Sequence, residues 1–495
     1  MKGECGGGRG PEGEREILRE IRADVAVVGA GPAGMAAALA AADLGAQVML
    51  VDAGQAMGGQ IYRPPATAKA ASRPSVGPKL PARLGRAGTH PQIRYRPNTT
   101  VWHAVTGAGG AGGAGGAEFR LFFADGDQLL AQAVVVATGA TEIALPFPGW
   151  ELPGVTTVGA AQALLKGQGV VAGRRVLVAG SGPLLLPAAA GLAEAGVDVL
   201  AVLEANPATP ATMGRAVRLA PFTNKVGEAV SYARILARHR VAVRAGYAVT
   251  GCQGDGQVEQ ATVSRVDRDW RPLPGTGRQV RVDAVHASFG FSPALELARL
   301  LGCADLPEPG RPTAATWCDA DQATSVPGVF AAGETTGVAG ADVAELEGYV
   351  AGAAAARYLG LVAGEPVNKK THGVRSALGR ARKFARRLDD LYPWRAGGLD
   401  WPRPDTLVCR CEEVPWGAIG AATAAGARDV RAVKGVTRRG MGYCQGRVCG
   451  PALQQAVAAA TGRGLSAVGD LGARPLLTPV PLGTIAAASG PGGRS

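Results

Sequence analysis

Residues 23–54, ADVAVVGAGPAGMAAALAAADLGAQVMLVDAG, run from an unbroken apolar stretch through a glycine turn into an alanine-rich stretch, and end on a second apolar run closed by Asp52. Short continuous apolar runs bounded by glycine predict buried parallel strands. The longer Ala/Leu-rich run between them predicts the crossover helix. The pattern returns at 174–205, RRVLVAGSGPLLLPAAAGLAEAGVDVLAVLEA, and strand-like runs follow to about residue 288. LLAQAVVVATGA (129–140) predicts another buried strand ending in a tight turn. GVFAAGETTGVAGADVAELEGYVAGAAAARYLG (328–360) predicts a strand, a loop and a long helix. Between the strand-like runs NTTVWHAV and FRLFF lies GAGGAGGAGGAE (107–118), which reads as a flexible hairpin loop without function.

This order divides the chain into seven parts. Residues 1–22 read as a flexible tail, 23–149 as the first part of a nucleotide-binding domain, 150–288 as a second such domain, and 289–362 as the return to the first. Residues 363–404 read as a linker with one basic helix, 405–465 as a small cysteine-bearing helical module, and 466–495 as an extended, proline-punctuated tail. The expected class is α/β, with two nested Rossmann-like domains and a small helical module.

The first glycine turn carries Gly29, Gly31 and Gly34 in G-x-G-x-x-G spacing. The first glycine permits the turn, the second lets backbone approach a pyrophosphate, and the third lets helix pack closely on strand. The helix N-terminus then offers free N–H groups to the phosphates, and Asp52 stands where a carboxylate accepts from ribose hydroxyls. The second turn supplies Gly180 and Gly182, but Leu185 occupies the third position. Glu204 ends its second strand, with no Arg close behind to meet a 2′-phosphate, which argues against NADP. NAD, another adenine nucleotide, or no ligand at all remain open for this turn.

Composition narrows the class. At 495 residues the chain exceeds one core, and 47% hydrophobic with 19% charged residues excludes a disordered protein. The net charge of +12 is concentrated in VRSALGRARKFARR (374–387), which reads as a solvated helix face or a surface for an acidic partner. No nucleic-acid recognition pattern accompanies it. Residues 1–20 hold no apolar run, so no secretory signal is expected. The glycine spacing and Asp43 mark 25–51 as a buried fold unit rather than a transmembrane segment. A cytoplasmic location is expected, with any membrane association arising through a complex. In that compartment clustered cysteines more often bind metal or do redox work than form structural disulfides.

Four of the eight cysteines fall in one window: Cys409 and Cys411 in TLVCRCEEV, Cys444 and Cys449 in GMGYCQGRVCG. Zinc sites more usually show two C-x2–4-C knuckles, and the tight C-x-C pair does not suit a zinc ribbon, while four thiolates can hold two irons. A [2Fe–2S] cluster is the first reading, with zinc or free thiols as alternatives. Arg410, Lys434, Arg438, Arg439 and Arg447 lie close in sequence, and such cations would offset the cluster's charge and raise its potential. Cys5, Cys252, Cys303 and Cys318 are scattered and read as ordinary thiols. His90, His103, His239, His286 and His372 form no ligand-spaced group.

Together GAGPAG…VDAG, VVVATGA and GVFAAGETTG resemble the two-dinucleotide-binding-domain flavoproteins, relatives of thioredoxin reductase and glutathione reductase. The resemblance implies FAD in the first domain. It implies Gly29, Gly31, Gly34 and Asp52 at the ADP half, and Gly59, Gln60, Thr138 and Gly139 along the flavin. Gly333 and Glu334 would meet the ribityl chain, where many members have Asp. The helix starting near Asp342 would point its positive end at the flavin ring. The cysteine pair of the disulfide reductases is missing, since the flavin-side segment reads GGQIYRPP and the second domain has no C-x-x-C. A narrower resemblance rests on GGQIYRPP, GSGPLLLP, VCRCEEV and GMGYCQGRVC. These are similar to motifs in the α-type subunits of multi-subunit amine dehydrogenases. That group includes the opine oxidases, the hydrogen cyanide synthases (through their B component), and the dye-linked proline and D-hydroxyproline dehydrogenases. The cysteine module resembles the bacterioferritin-associated-ferredoxin-like [2Fe–2S] domain.

That resemblance implies an FAD- and [2Fe–2S]-containing electron-transfer subunit of an amine or imino-acid dehydrogenase. Its partners would be an amino-acid-oxidase-like flavoprotein β subunit that holds the substrate and a small ferredoxin subunit. Two other readings stay open. One is a self-sufficient NADH-dependent reductase using Gly180, Gly182 and Glu204. The other is a nucleotide-binding assembly scaffold.

Overall fold

A computed structural model of the chain describes residues 19–488, apart from 73–77, 108–117, 309–310, 312, 362–364 and 472–473. Cys5, residues 1–18 of the expected tail, most of the glycine-rich loop and residues 489–495 lie outside the described residues.

The first domain is built on a seven-stranded sheet. Its strands are β1 (Glu20–Val28), β2 (Val48–Val51), β3 (Ile93–Arg96), β4 (Val101–Thr106), β5 (Phe119–Phe123) and β6 (Gln128–Val136), in the order β3-β2-β1-β6-β5-β4, with Val329–Ala331 also paired to β6. The apolar strands β1, β2 and β6 pair in parallel, while β4 and β5 form the antiparallel hairpin around the glycine-rich segment. β1 begins at Glu20, inside the stretch expected as tail, because Glu20 already pairs with Gln128. One sheet face is covered by the helices Pro32–Ala42 and Ala341–Tyr358. These two helices pack backbone to backbone: a Cβ on Gly348 would lie 2.1 Å from Ala33 O, and one on Gly352 2.1 Å from Ala37 O. Only glycine allows that approach, and it brings both helix N-termini to the same end of the sheet.

The second domain holds a five-stranded parallel sheet in the order Ala242–Ala245, Asp198–Glu204, Arg175–Gly180, Ala284–Ser288, Val155–Thr157. Its largest core includes Trp270 and Phe289, and it is completed from outside the domain by Leu399 and Trp401. Trp401 donates its indole N–H to Trp270 O at 2.8 Å, and Trp394 stacks edge-on to Trp270 at 6.0 Å. The stretch expected as a linker therefore does two jobs. It contains the basic helix Glu365–Asp389, and it then inserts aromatic side chains into the second domain's core.

The cysteine module packs the helices Gly417–Ala424, Val430–Thr437 and Gly450–Thr461 around Val408, Ile419, Val430, Val433, Leu453 and Val457. Val468 and Leu471 join that core, so it reaches beyond residue 465. The C-terminal segment then returns to the first domain, where Leu477 is buried and its N–H meets Trp102 O at 2.8 Å. Where an extended tail is expected, residues Leu482–Ala488 are helical. Pro481 ends the proline-punctuated run, and LGTIAAA carries enough leucine and alanine to form a turn or two.

Candidate redox cleft and cluster site

The C-terminal strand ends of both sheets open onto one cavity of about 3030 Å³, several times the size of an ordinary small-molecule pocket. Gly29, Gly31, Asp52, Gly59, Gln60, Thr138, Gly139 and Glu334 line it from the first domain, and Gly182 lines it from the second. Gly34, Gly333, Gly180 and Glu204 stand behind the wall and shape it.

The first turn has the form a diphosphate needs. Gly29 has φ +107°, and a Cβ there would meet Ala137 O at 2.2 Å. A Cβ on Gly34 would lie 1.7 Å from Gly29 O, so the helix can back onto the turn only with glycine at this position. Gly31 faces open space, its nearest neighbour being Gly59 Cα at 4.0 Å. The helix begins at Pro32 with no side-chain cap, so its free N–H groups are left for an anion. Asp52 accepts from Ala30 N–H at 2.5 Å and Gly54 N–H at 2.6 Å, which fixes its carboxylate at the rim.

At the end of the cavity expected to take a flavin, Thr138 Oγ1 donates to Ala294 O at 2.8 Å, and Gly139 takes a left-handed turn at φ +76°. Burial pushes the Glu334 carboxyl above its ordinary range, and the Gly340 N–H draws it partly back. Gly340, Ala341 and Asp342 line the cavity, so the uncapped start of the long helix faces it. Asp342 meets Lys225 of the second domain at 3.0 Å, an ion pair across the opening.

Glu347 plays a part that sequence reading missed. Buried in the long helix, it accepts from Gly333 N–H (2.9 Å) and Thr336 Oγ1 (2.7 Å) and pairs with Arg382 Nη2 (2.7 Å). It pins the GETTG loop from beneath, and the basic helix supplies its counter-charge. The signal was present, because Arg382 sits in the buried stripe of Leu378 and Ala385.

The second turn differs. Gly180 has φ +133° and backs onto Ser288 O, while Gly182 at φ +123° faces open space. Leu185 is fully buried among Val158, Val176 and Val178, and the helix starts only there. Glu204 Oε2 accepts from Gly182 N–H at 3.0 Å and Oε1 from Asn206 N–H at 2.9 Å. Burial raises its carboxyl above the ordinary range, and these hydrogen bonds partly oppose the shift.

In the cysteine module, Cys409 and Cys449 are buried, Cys444 is partly exposed and Cys411 is exposed. The thiols stand as two pairs, Cys409 with Cys449 and Cys411 with Cys444. Among the described residues no three His, Cys, Asp or Glu side chains close into a ligand set. Cys409 is lowered to about 5 by its hydrogen bond with Cys449 and by backbone N–H groups of Gly440, Glu412 and Cys411, while Cys449 is raised. Glycines set this geometry, since a Cβ on Gly442 would lie 2.3 Å from Cys411 Cβ. The fully buried guanidinium of Arg439 lies against Cys409 and Cys449, with Nε and Nη1 bonded to nothing. A buried cation with two idle donors beside thiols fits an anionic iron–sulfur group. Of the five cations expected to surround the cluster, three turn elsewhere. Arg410 stacks over Trp150 at 3.9 Å, Arg438 pairs with Glu412 at 3.1 Å and Arg447 pairs with Glu296 at 2.8 Å. Cys444 and Arg447 also line the large cavity, so the cluster module and the first glycine turn share it.

Comparison with known proteins gives the same two parts. Residues 23–356 match the pyridine nucleotide-disulphide oxidoreductase family, and residues 407–459 match the BFD-like [2Fe-2S] binding domain. The HcnB component of hydrogen cyanide synthase from Pseudomonas protegens is 31% identical over 92% of this chain and 96% of its own. The A component of opine oxidase from Agrobacterium tumefaciens is 33% identical over 86% and 84%. The crystal structure of L-proline dehydrogenase from P. horikoshii shares the fold, with a TM-score of 0.65 at 19% identity over 95% of this chain and 80% of that one. The cofactors these matches indicate are FAD and a [2Fe–2S] cluster. The chain belongs to the pyridine nucleotide-disulphide oxidoreductase family, as an FAD-dependent oxidoreductase that carries a C-terminal BFD-like [2Fe–2S] domain.

Proposed function

We propose that this chain is the electron-transfer subunit of a heteromeric enzyme that oxidises the C–N bond of an opine, a proline- or hydroxyproline-like imino acid, or glycine. The observation that carries the reading is the shared cavity: Gly29 and Gly31 line one side of it, and Cys444 and Arg447 another. The names of the relatives support it, since HcnB and the opine oxidase A component are each one subunit of a larger enzyme. In this reading substrate acid–base chemistry lies on an amino-acid-oxidase-like flavoprotein partner, with a small ferredoxin as a further component.

In this reading Gly29, Gly31, Gly34 and the first helix's N-terminus hold the FAD diphosphate, and Asp52 takes the ribose. Gly59, Gln60, Thr138, Gly139, Gly333 and Glu334 enclose the rest of the flavin, and Cys409, Cys411, Cys444 and Cys449 hold the cluster. Bound there, FAD supplies two-electron chemistry and the cluster one-electron chemistry. The chain positions both on one shared cavity.

The test is anaerobic photoreduction of the purified holoprotein, followed in the visible spectrum and by EPR. Flavin and cluster signals are expected to change together, while NADH alone leaves both oxidised. Flavin reduction that never reaches the cluster would refute the shared-cavity reading, and rapid bleaching by NADH would favour the self-sufficient reductase. Cys444→Ser is expected to remove the cluster's absorption and EPR signal with FAD retained. Unchanged iron content would overturn the ligand assignment.

A further inference from the structure

We infer that Arg439 donates hydrogen bonds directly to a sulfur of the [2Fe–2S] cluster and is the residue in this chain that raises its reduction potential. The inference rests on the proposed cysteine ligation.

Arg439 is 0% exposed. Its Nη2 donates to Cys449 O at 3.1 Å, while Nε and Nη1 have no partner. Burying a guanidinium without a counter-ion is strongly unfavourable, so folded proteins pair such a group with an anion. Among the described residues no carboxylate reaches Arg439; the groups that face it are the thiols of Cys409 and Cys449. An oxidised cluster on four thiolates is the anion whose charge and position suit it.

The backbone turns Arg439 inward. The helix Val430–Thr437 ends on Arg438 at φ +61°, and Gly440 follows at φ +78°. Two left-handed residues therefore flank Arg439 and reverse the chain around it, and the same Gly440 offers its N–H to Cys409. Arg438, on the outer side of this turn, reaches Glu412 instead and is 70% exposed. Arg474 lies near enough to feel Cys444 and Cys449, but its Nη2 donates to Gly440 O at 2.7 Å. Arg439 is thus the one of these cations with both idle donors and complete shielding from water. Reduction adds negative charge to the cluster, and an unscreened neighbouring cation favours it more than exposed ones do.

The experiment is an EPR-monitored anaerobic redox titration of wild-type, Arg439→Met and Arg439→Lys holoproteins, with Arg438→Gln and Arg474→Gln as charge controls and iron content measured throughout. Arg439→Met is expected to make cluster reduction at least tenfold less favourable, about 59 mV for one electron. Arg439→Lys should recover part of this, and the two controls should shift less. In wild type, resonance Raman Fe–S bands should move on transfer to D₂O, and the shift should shrink in Arg439→Lys. An unchanged potential in Arg439→Met with full iron overturns the inference. If Arg439→Met does not retain iron, Arg439→Lys decides, and a wild-type potential with an undiminished D₂O shift overturns it. Failure of the cysteine ligation itself would show separately, as iron retained in Cys444→Ser.

Discussion

At the first glycine turn the helix begins at Pro32, directly after Gly31. At the second it begins at Leu185, after Pro183 and Leu184 have prolonged the turn. The two carboxylates differ correspondingly. Asp52 accepts from Ala30 N–H, on the residue between its two glycines, whereas the longer Glu204 reaches one residue further and takes the N–H of Gly182 itself. The N–H that would meet a phosphate at the second turn is thus already bonded within the protein. A single side chain accounts for much of the difference. Gly34 lets its helix close onto Gly29 O, while Leu185 fills the core beneath the second sheet and holds its helix away from the turn. Two motifs with the same first two glycines therefore present different surfaces to a nucleotide.

The comparison breaks first at Gly31. Gly31→Val should fold, because no atom lies closer than 4.0 Å to the new Cβ, yet it should lose at least tenfold in bound flavin by blocking the diphosphate. Flavin absorbance per chain measures this, and retention of full flavin would remove the assignment. Next in size is Leu185→Ala. It should cost about 2–5 kcal/mol of stability as a core truncation, read by denaturant melting, with no gain of NADH-dependent flavin reduction. A gain would mean that Leu185 alone suppresses a nicotinamide site. Gly182→Val meets no atom within 4 Å but carries a side chain at φ +123°, so it should cost about 1–3 kcal/mol with flavin content unchanged. Loss of flavin there would erase the distinction between the turns.

The smallest effect concerns Glu204. Its folded pKa is raised above the ordinary value of 4.5, so the folded state holds its proton more tightly than the unfolded chain. Its contribution to stability is complete below that value and declines as pH rises through the folded pKa. Glu204→Gln, which cannot ionise, should flatten this part of the pH profile. Its stability relative to wild type should rise from acidic to neutral pH, as followed by chemical melts. An identical profile in both proteins would refute the effect.

Much of the first site was legible because its signals are local. Gly29, Gly31, Gly34 and Asp52 fall within one strand–helix–strand unit, and the four cysteines within one module. What sequence could not provide were contacts between elements far apart in the chain. Glu347 and Arg382 meet because two helices cross. Arg410 reads as a cluster cation but stacks on Trp150, more than a domain away in sequence. Arg439 and Arg438 are neighbours of one residue type, and only the left-handed turn around them sends one inward and the other outward. The tryptophans of the expected linker gave a signal of their own, since Trp394 and Trp401 have little reason to lie in a solvated spacer.

Those tryptophans bear on where such a chain could be divided into inheritable units. If a flavoprotein and a ferredoxin-like module were joined by fusion, the seam does not lie where the charged helix ends. A recombination event between residues 390 and 400 would deprive the upstream partner of Leu399 and Trp401 and leave a hole beside Trp270 and Phe289. A crossover in the short passage from Pro402 to Thr406 would keep Leu399 and Trp401 with the upstream core. The inheritable unit upstream therefore runs through Trp401, and an exchanged cluster module would have to bring its own counterpart of Trp416, which packs against both cores.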